Sequence, residues 1–329
     1  MPTVDARRTL VTGGAGFIGS NLVDALVAAG DAVTVVDDLS TGRAENLAAA
    51  VGAGAQLVRA DIRDRDALDA AFAAAAPERV FHLAAQIDVR RSVADPAHDA
   101  AINVLGTVNV LEAAHRHGAR RVVNTSTGGA IYGVADVVPT PEGAPERPMA
   151  AYGTSKLCGE QYCGWFSRLH GLSTVTLRLA NVYGPRQDPL GEAGVIALFC
   201  DRVLGGEDPT IYGDGRQTRD FVFVGDVVRA QLAAAERPAD GAVNVGTGIE
   251  TSVLELADAV AAAGREVGAR GWTGPAFAAP RAGEIERSCL DVRRAADELG
   301  FQARTALVDG LTETLRWVQE LRRTRIATA

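Results

Sequence analysis

Residues 9–20 read TLVTGGAGFIGS. A short β-branched run leads straight into glycines at positions 13, 16 and 19, and an amphipathic helical pattern follows over residues 17–29. Glycines in such a strand–turn–helix allow a tight turn and close approach of backbone to a pyrophosphate, whose charge sits at the helix N-terminus. The next apolar run, AVTVVD, ends in Asp37, 18 residues beyond Gly19. A carboxylate there accepts hydrogen bonds from an adenosine ribose and repels a 2′-phosphate, which favours NAD over NADP. Arg43 is the one nearby cation that argues the other way. A glycine turn beside a surface aspartate is the plainer alternative, and the order of elements weighs against it.

Outward from this unit, QLVRAD, RVFHLAA, RVVNTS and TVTLRLA read as further buried strands. Helical patterns lie between them near residues 66–76, 97–117 and 151–170. Repeated βα units predict an α/β fold: a Rossmann-like, doubly wound parallel sheet with helices on both faces. Residues 127–150 are rich in Gly and Pro, and a loop of that length in a compact domain is usually functional. After residue 180 the pattern shortens. Helices are expected over 194–204, 225–235, 253–264, 292–299 and 306–322, with a strand at VNVG. IYGDGRQTRDFVFV is expected to be a hairpin about its GDG turn. The division expected is a dinucleotide-binding domain over residues 1–180 and a smaller mixed α/β substrate lobe over 181–329, interleaved with it.

The 329 residues carry a net charge of −8, with 47% hydrophobic and 22% charged residues. No basic stripe points to a nucleic-acid partner. An anionic ligand would depend on a few local arginines. The four cysteines form no metal-binding spacing and read as reduced cytosolic thiols. Neither a secretory leader nor a membrane span is apparent. No metal is expected, and the location expected is cytoplasmic.

Among 33 Lys+Arg residues a single lysine occurs, Lys156, in AYGTSK. A GC-rich coding sequence explains why lysines are few, but not where this one stands. On a helix, Tyr152 and Lys156 share a face one turn apart. A phenol needs help to act as a base at neutral pH, and a neighbouring ammonium favours the phenolate. Lysine is a compact point charge that reaches both a ribose hydroxyl and the phenol; arginine is bulkier and fork-shaped. Ser126 and Thr127 emerge at the C-terminal end of the fifth strand, where open α/β sheets bind ligands, and either hydroxyl could relay a proton.

The set TGGAGFIG, VVDDLSTGR, ADIRD, FHLAAQIDV, NVLGT, STGGAIYG, YGTSK, LRLANVYGPRQ, YGDGRQTRDFVFV and NVGTG resembles the extended short-chain dehydrogenase/reductase family over nearly the whole chain. Within it the chain is most similar to the UDP-glucose 4-epimerases. The resemblance implies NAD held by Gly13, Gly16, Phe17, Ile18, Gly19, Asp37, Asp38, Ser40, Thr41, Gly42, Asp61, Ile62, Leu83, Ala84, Ala85, Gln86, Asn103, Thr125, Tyr152 and Lys156. Asp61 also reads as a helix cap. It implies catalysis by Tyr152 and Lys156 with Thr127 or Ser126. It implies a UDP-sugar held by Gln86, Thr127, Tyr152, Asn181, Val195, Tyr212, Arg219, Arg281, Glu284 and Ser288, with the two arginines on the diphosphate. The plainer reading of Arg219 is an ion pair to Asp220 or Asp214. Helices near 97–117 and 151–170 are implied to form a homodimer interface, to which Cys163, Phe166 and Leu169 belong if they are not core.

The reaction implied is transient oxidation of the sugar at C4 by bound NAD, rotation of the 4-keto sugar, and return of hydride to its other face. Dehydratases of the family place Asp and Glu beside the triad hydroxyl. Here Gly128 and Gly129 stand there, so elimination lacks its proton carriers. UDP-N-acetylglucosamine and UDP-glucuronate are alternative substrates, since Ser288 stands where some relatives have a bulky tyrosine. A net NAD(P)-dependent oxidoreductase and a non-catalytic NAD-sensing module are the competing classes. The second has no need of the Tyr152–Lys156 pair.

Overall fold

A computed structural model describes residues 6–188, 194–269, 274–280 and 284–328; the side chains of 324–328 are not described. The chain runs β1 (Arg8–Thr12), α1 (Phe17–Ala28), β2 (Ala32–Asp37), α2 (Ala48–Gly52), β3 (Gln56–Arg59), α3 (Arg65–Ala75), β4 (Arg79–His82), α4 (Val89–Ala94) and α5 (Pro96–Ala100). A π-helical segment, Ala101–Gly106, leads into α6 (Thr107–Arg116). Then come β5 (Arg121–Thr127), α7 (Gly128–Ile131), α8 (Ala151–His170), β6 (Ser173–Leu179), β7 (Asn181–Tyr183) and α9 (Val195–Gly205). The remainder is β8 (Thr210–Tyr212), β9 (Thr218–Arg219), β10 (Phe221–Phe223), α10 (Val224–Glu236), β11 (Gly241–Val245), β12 (Thr251–Ser252), α11 (Val253–Glu266), β13 (Ala276–Ala278), a short π segment (Ala295–Leu299) and α12 (Leu307–Thr328).

Seven strands form one sheet in the order β3-β2-β1-β4-β5-β6-β11, parallel throughout. The order reverses between β1 and β4, and ligands of such sheets bind outside the strand ends at that point. The strands are buried on both faces, which is why they read as unbroken apolar runs. One core packs α1, α2 and α10 on the sheet; a second packs α3, α6 and α8 on the other face. A third joins α9, α11 and α12 around Tyr183 and Phe223. β11 comes from the second half of the chain and completes the large sheet beside β6.

The expected hairpin over residues 211–224 is absent. β8 pairs with β13, β9 with β12 and β10 with β7. The turn itself forms, with Gly213 and Gly215 both at φ +76°, but its two arms leave for different partners. The helix expected over 97–117 forms with a π segment inside it, and α4 precedes it unforeseen. No described helix is long and apolar enough to cross a membrane.

Candidate active site

The glycine turn is closed by contacts that admit no side chain. Gly13 has φ +71°, and a Cβ there would lie 2.5 Å from the Ala84 amide nitrogen; one on Gly19 would lie 2.2 Å from the Gly13 carbonyl oxygen. Gly16 is different: its added Cβ would meet only that carbonyl, at 3.3 Å, so its other side is open. Helix α1 starts at Phe17 and Ile18 with no side-chain cap and no acid in its first turn. Its free N–H groups and dipole are therefore available to an anion.

Asp37 is buried at the tip of β2 and accepts hydrogen bonds from the Ala15 and Leu39 amides, both at 2.9 Å. Burial raises its carboxyl above the usual range, against those two donors. A Cβ on Gly42 would press on that carboxylate at 2.8 Å. Asp38 accepts from the Ser40 amide and hydroxyl, which shapes the loop through Thr41. Arg43 is bound to Asp188 at 2.7 Å rather than standing free for a 2′-phosphate. These residues fit an adenine dinucleotide: an uncapped helix start for the pyrophosphate, and a buried acid with lone pairs left over for a ribose.

Asp61 does not cap α3. It holds the Arg63 amide and guanidinium, which draw its carboxyl down, and Asp64 is the cap. Ile62 packs against Gly106, where a Cβ would come within 2.5 Å of it. The Thr125 hydroxyl turns away from the Tyr–Lys helix and accepts from Gln231 on α10 at 2.8 Å.

Helix α8 carries Tyr152, Lys156 and Glu160 at intervals of four on one face. Tyr152 is half-buried, and the Thr127 hydroxyl acts on its phenol. Ser126 is buried with no partner for its hydroxyl. Of the two candidates, Thr127 is the one that bears on the phenol. Burial pushes that phenol up to about 12; the Asp99 charge adds to the rise and the Thr127 hydroxyl opposes it. Desolvation is the largest influence on this phenol and acts against the phenolate. Lys156 is 7% exposed, and burial pulls it down to about 8 against Glu160, Cys163 and Asp99. His82 is carried down to about 3 by burial and the Lys156 charge, so it stays neutral.

Behind the pair, Asn103 sits in the π segment, a feature often found at functional sites. Its side chain accepts from the Gln86 amide at 2.8 Å and donates to the Gln86 carbonyl (2.9 Å), Asp99 (3.1 Å) and Ser155 (3.1 Å). This ties the Leu83–Ala84–Ala85–Gln86 loop to α8. Beneath, Arg178 forks onto Glu160 (2.6–3.1 Å), bonds the Tyr132 hydroxyl (2.9 Å), and pairs with Glu146. Burial alone would lower the arginine, but Glu160 and Tyr132 hold it above its usual value. Sequence reasoning passed over both Asp99 and Arg178. An arginine inside the otherwise apolar run TVTLRLA was the available signal.

On the other wall, Asn181 and Thr127 border the same space over Gly129: a Cβ there would have Asn181 Oδ1 at 3.9 Å and Thr127 Oγ1 at 4.0 Å. Arg219 pairs with neither Asp220 nor Asp214. Its guanidinium donates to the Thr218 and Ile285 carbonyls and lies 3.5 Å from Glu284. Asp220 instead accepts from Thr247 and Gly248. Ser288 is half-buried beside this strand pair, its amide bonded to the Thr218 carbonyl. Tyr212 is 39% exposed and Val195 opens α9. Arg281 lies outside the described residues. Among the described residues no group of three or more His, Cys, Asp or Glu could hold a metal.

A parallel sheet with a glycine turn at its switch point and a Tyr–Lys pair beside a strand-end hydroxyl defines a dinucleotide-dependent enzyme of the short-chain dehydrogenase type. The chain belongs to the NAD dependent epimerase/dehydratase family, whose profile matches residues 9–246. It is 50% identical to a UDP-glucose 4-epimerase of Mycolicibacterium smegmatis, over 94% of this chain and 98% of that one. Its fold is similar to UDP-glucose 4-epimerase with UDP-glucose from Thermotoga maritima: TM-score 0.90 and 42% identity over 95% and 99% of the two chains. It is also similar to the UDP-glucose 4-epimerase of Thermus thermophilus in complex with NAD: TM-score 0.86 and 41% identity, again over 95% and 99%.

Proposed function

We propose that this chain is a UDP-sugar 4-epimerase that interconverts UDP-glucose and UDP-galactose through a transient 4-keto sugar. The observation that carries the reading is the Tyr152 phenol, under the influence of the Thr127 hydroxyl at the end of β5, one helical turn from the buried Lys156. Bound NAD supplies the hydride acceptor and donor and, when oxidised, a positive ring charge beside the phenol. Gly13, Gly16, Gly19 and the N–H groups of Phe17 and Ile18 hold its pyrophosphate, and Asp37 holds its ribose. Tyr152, as the phenolate, takes the proton of the sugar 4-hydroxyl and returns it to the 4-oxygen when the keto sugar is reduced. Thr127 orients that phenol and receives the sugar oxygen. Lys156 holds positive charge on the face where the phenolate forms.

Arg219, with Arg281, grips the diphosphate, and Glu284, 3.5 Å from Arg219, receives the uridine ribose. Tyr212 presents an exposed ring to the uracil, and Val195 borders it. The hexose end meets Gln86, Asn181, Gly129 and Ser288, small or uncharged groups that let a keto sugar turn. Gly128 and Gly129 offer no proton carrier for elimination. Residues 1–180 form the NAD-binding unit and 181–329 the nucleotide-sugar lobe.

The protein is a cytoplasmic homodimer in this reading. Leu105, Tyr162, Trp165 and Leu169 are 40–64% exposed on the π segment and α8, more apolar surface than one helix face usually leaves to water. Cys163 and Phe166 are core residues instead. A monomer at sedimentation equilibrium, or export of the protein by its native cells, would contradict this.

Purified protein assayed with UDP-glucose, UDP-N-acetylglucosamine and UDP-glucuronate in parallel is expected to turn over UDP-glucose, without added reductant. Turnover of UDP-glucuronate alone would refute the assignment of substrate. A need for stoichiometric NADPH would favour a net oxidoreductase.

A further inference from the structure

Asp220 joins β9 to β10 and is 1% exposed. Donors meet both of its side-chain oxygens. Oδ1 accepts from the Thr247 amide (2.8 Å) and hydroxyl (2.6 Å); Oδ2 accepts from the Gly248 amide at 3.1 Å and lies 3.5 Å from the Leu290 amide. A Cβ on Gly246 would stand 2.3 Å from Oδ2. The loop after β11 therefore admits this acid only because residue 246 has no side chain.

The residues assigned above to the sugar nucleotide are anchored around this point. Arg219 directly precedes Asp220 in the chain. The Asn181 amide donates to the Asp220 main-chain carbonyl at 2.9 Å. Ser288 and Glu284 belong to a segment that runs beside β9 and ends at Leu290 under the Asp220 carboxyl. Along it the Thr218 amide donates to the Glu286 carbonyl, the Ser288 amide to the Thr218 carbonyl, and the Arg219 guanidinium to the Ile285 carbonyl. Separate stretches of chain thus meet at one buried side chain that has no part in the hydride or proton transfers.

Resting on the UDP-sugar reading above, we infer that Asp220 is a positioning residue for the UDP moiety: its side chain pins the 246–248 loop and the 284–290 segment to the strand that carries Arg219. Arginine and ribose acceptor then keep one mutual geometry. Asp220 acts through these residues and not by touching the substrate. Contacts to diphosphate and ribose stand apart from C4 and stay the same as hydride moves. Their loss is felt as weaker binding, not as slower chemistry.

The test is calorimetric titration of the NAD-loaded protein with UDP alone, which carries diphosphate and ribose but no hexose. In Asp220→Asn an NH2 group replaces one acceptor. Whichever way the amide lies, the backbone N–H of Thr247 or of Gly248 is left facing a donor. UDP is expected to bind about tenfold more weakly, and KM for UDP-galactose to rise by a similar factor. Turnover at saturation and NAD occupancy are expected to stay near wild type. The fold is expected to hold, because the Thr140 amide donates to the Cys289 carbonyl and the Asp291 amide to the Thr140 carbonyl, which seats the same segment from its other side. A merely structural role would cut the competent fraction, and with it stoichiometry, kcat and NAD occupancy, while Kd stayed the same; an unchanged Kd overturns the inference. Thr247→Val perturbs less: it removes one donor to Asp220 and is expected to weaken UDP about threefold, whereas Thr247→Ser keeps the hydroxyl and the affinity. Equal affinity in those two variants also overturns the inference. Wild-type protein that fails to bind UDP would instead sink the UDP-sugar reading itself, and the two failures are distinct.

Discussion

Tyr152→Phe is expected to lower turnover of UDP-galactose by at least about 10²–10⁴-fold, the range that positioned proton transfer contributes. The change removes one oxygen. It leaves the ring, the turn of α8 and the buried Lys156 as they are. The Thr127 hydroxyl keeps its place at the end of β5. Cofactor retention should not change, because the glycine turn, the uncapped start of α1 and Asp37 lie on other elements. The informative outcome is therefore a split: copurifying NAD at wild-type occupancy with turnover nearly gone. Turnover close to wild type would remove Tyr152 from the chemistry. Loss of both NAD and turnover would mean that the ring mainly shapes the pocket.

Arg178→Ala is expected to destabilise the protein by about 3–5 kcal/mol, the usual cost of stranding one member of a buried ion pair. Arg178 is 2% exposed and joins β6 to three other parts of the molecule. It forks onto Glu160 of α8, bonds Tyr132 after α7, pairs with Glu146 in the following loop, and stacks over the Tyr132 ring at 5.1 Å. Tyr132 in turn donates to Asn244 on β11. Without the guanidinium, Glu160 becomes a buried, uncompensated carboxylate on the Lys156 face. Urea unfolding monitored by circular dichroism measures the loss as a fall in midpoint at constant slope. A change below about 1 kcal/mol would show that the network relaxes onto water, and that the ion pair does not hold α8 against β6.

What could be read from the sequence was whatever local spacing encodes. The glycine turn, the six strands of the first half and the Tyr152–Lys156 face all follow from short apolar runs and a period of 3.6 with glycines between them. The segment 211–224 was misread for the converse reason. Two short β-like runs flank a glycine turn, but strand partners are chosen by tertiary packing. Here those partners are residues 181–183, 251–252 and 276–278, which no local pattern announces. Asp99 was invisible because DPAHDA looks like a solvated helix start. Only the fold turns that position inward. Thr127 and Ser126 could not be separated on paper, since which hydroxyl meets the phenol depends on how β5 runs into α7. Spacing shows the neighbours of Tyr152 but not its desolvation, which depends on how α8 is buried.

The central claim is that C4 is oxidised and reduced within one binding event. UDP-galactose deuterated at C4, turned over by the purified protein in ordinary water without added cofactor, tests it most directly. Mass spectrometry of the UDP-glucose formed is expected to find the deuterium still on C4. Deuterium lost to solvent would mean that the stereocentre inverts by proton exchange or elimination, and the account built on Tyr152 and a retained dinucleotide would be wrong.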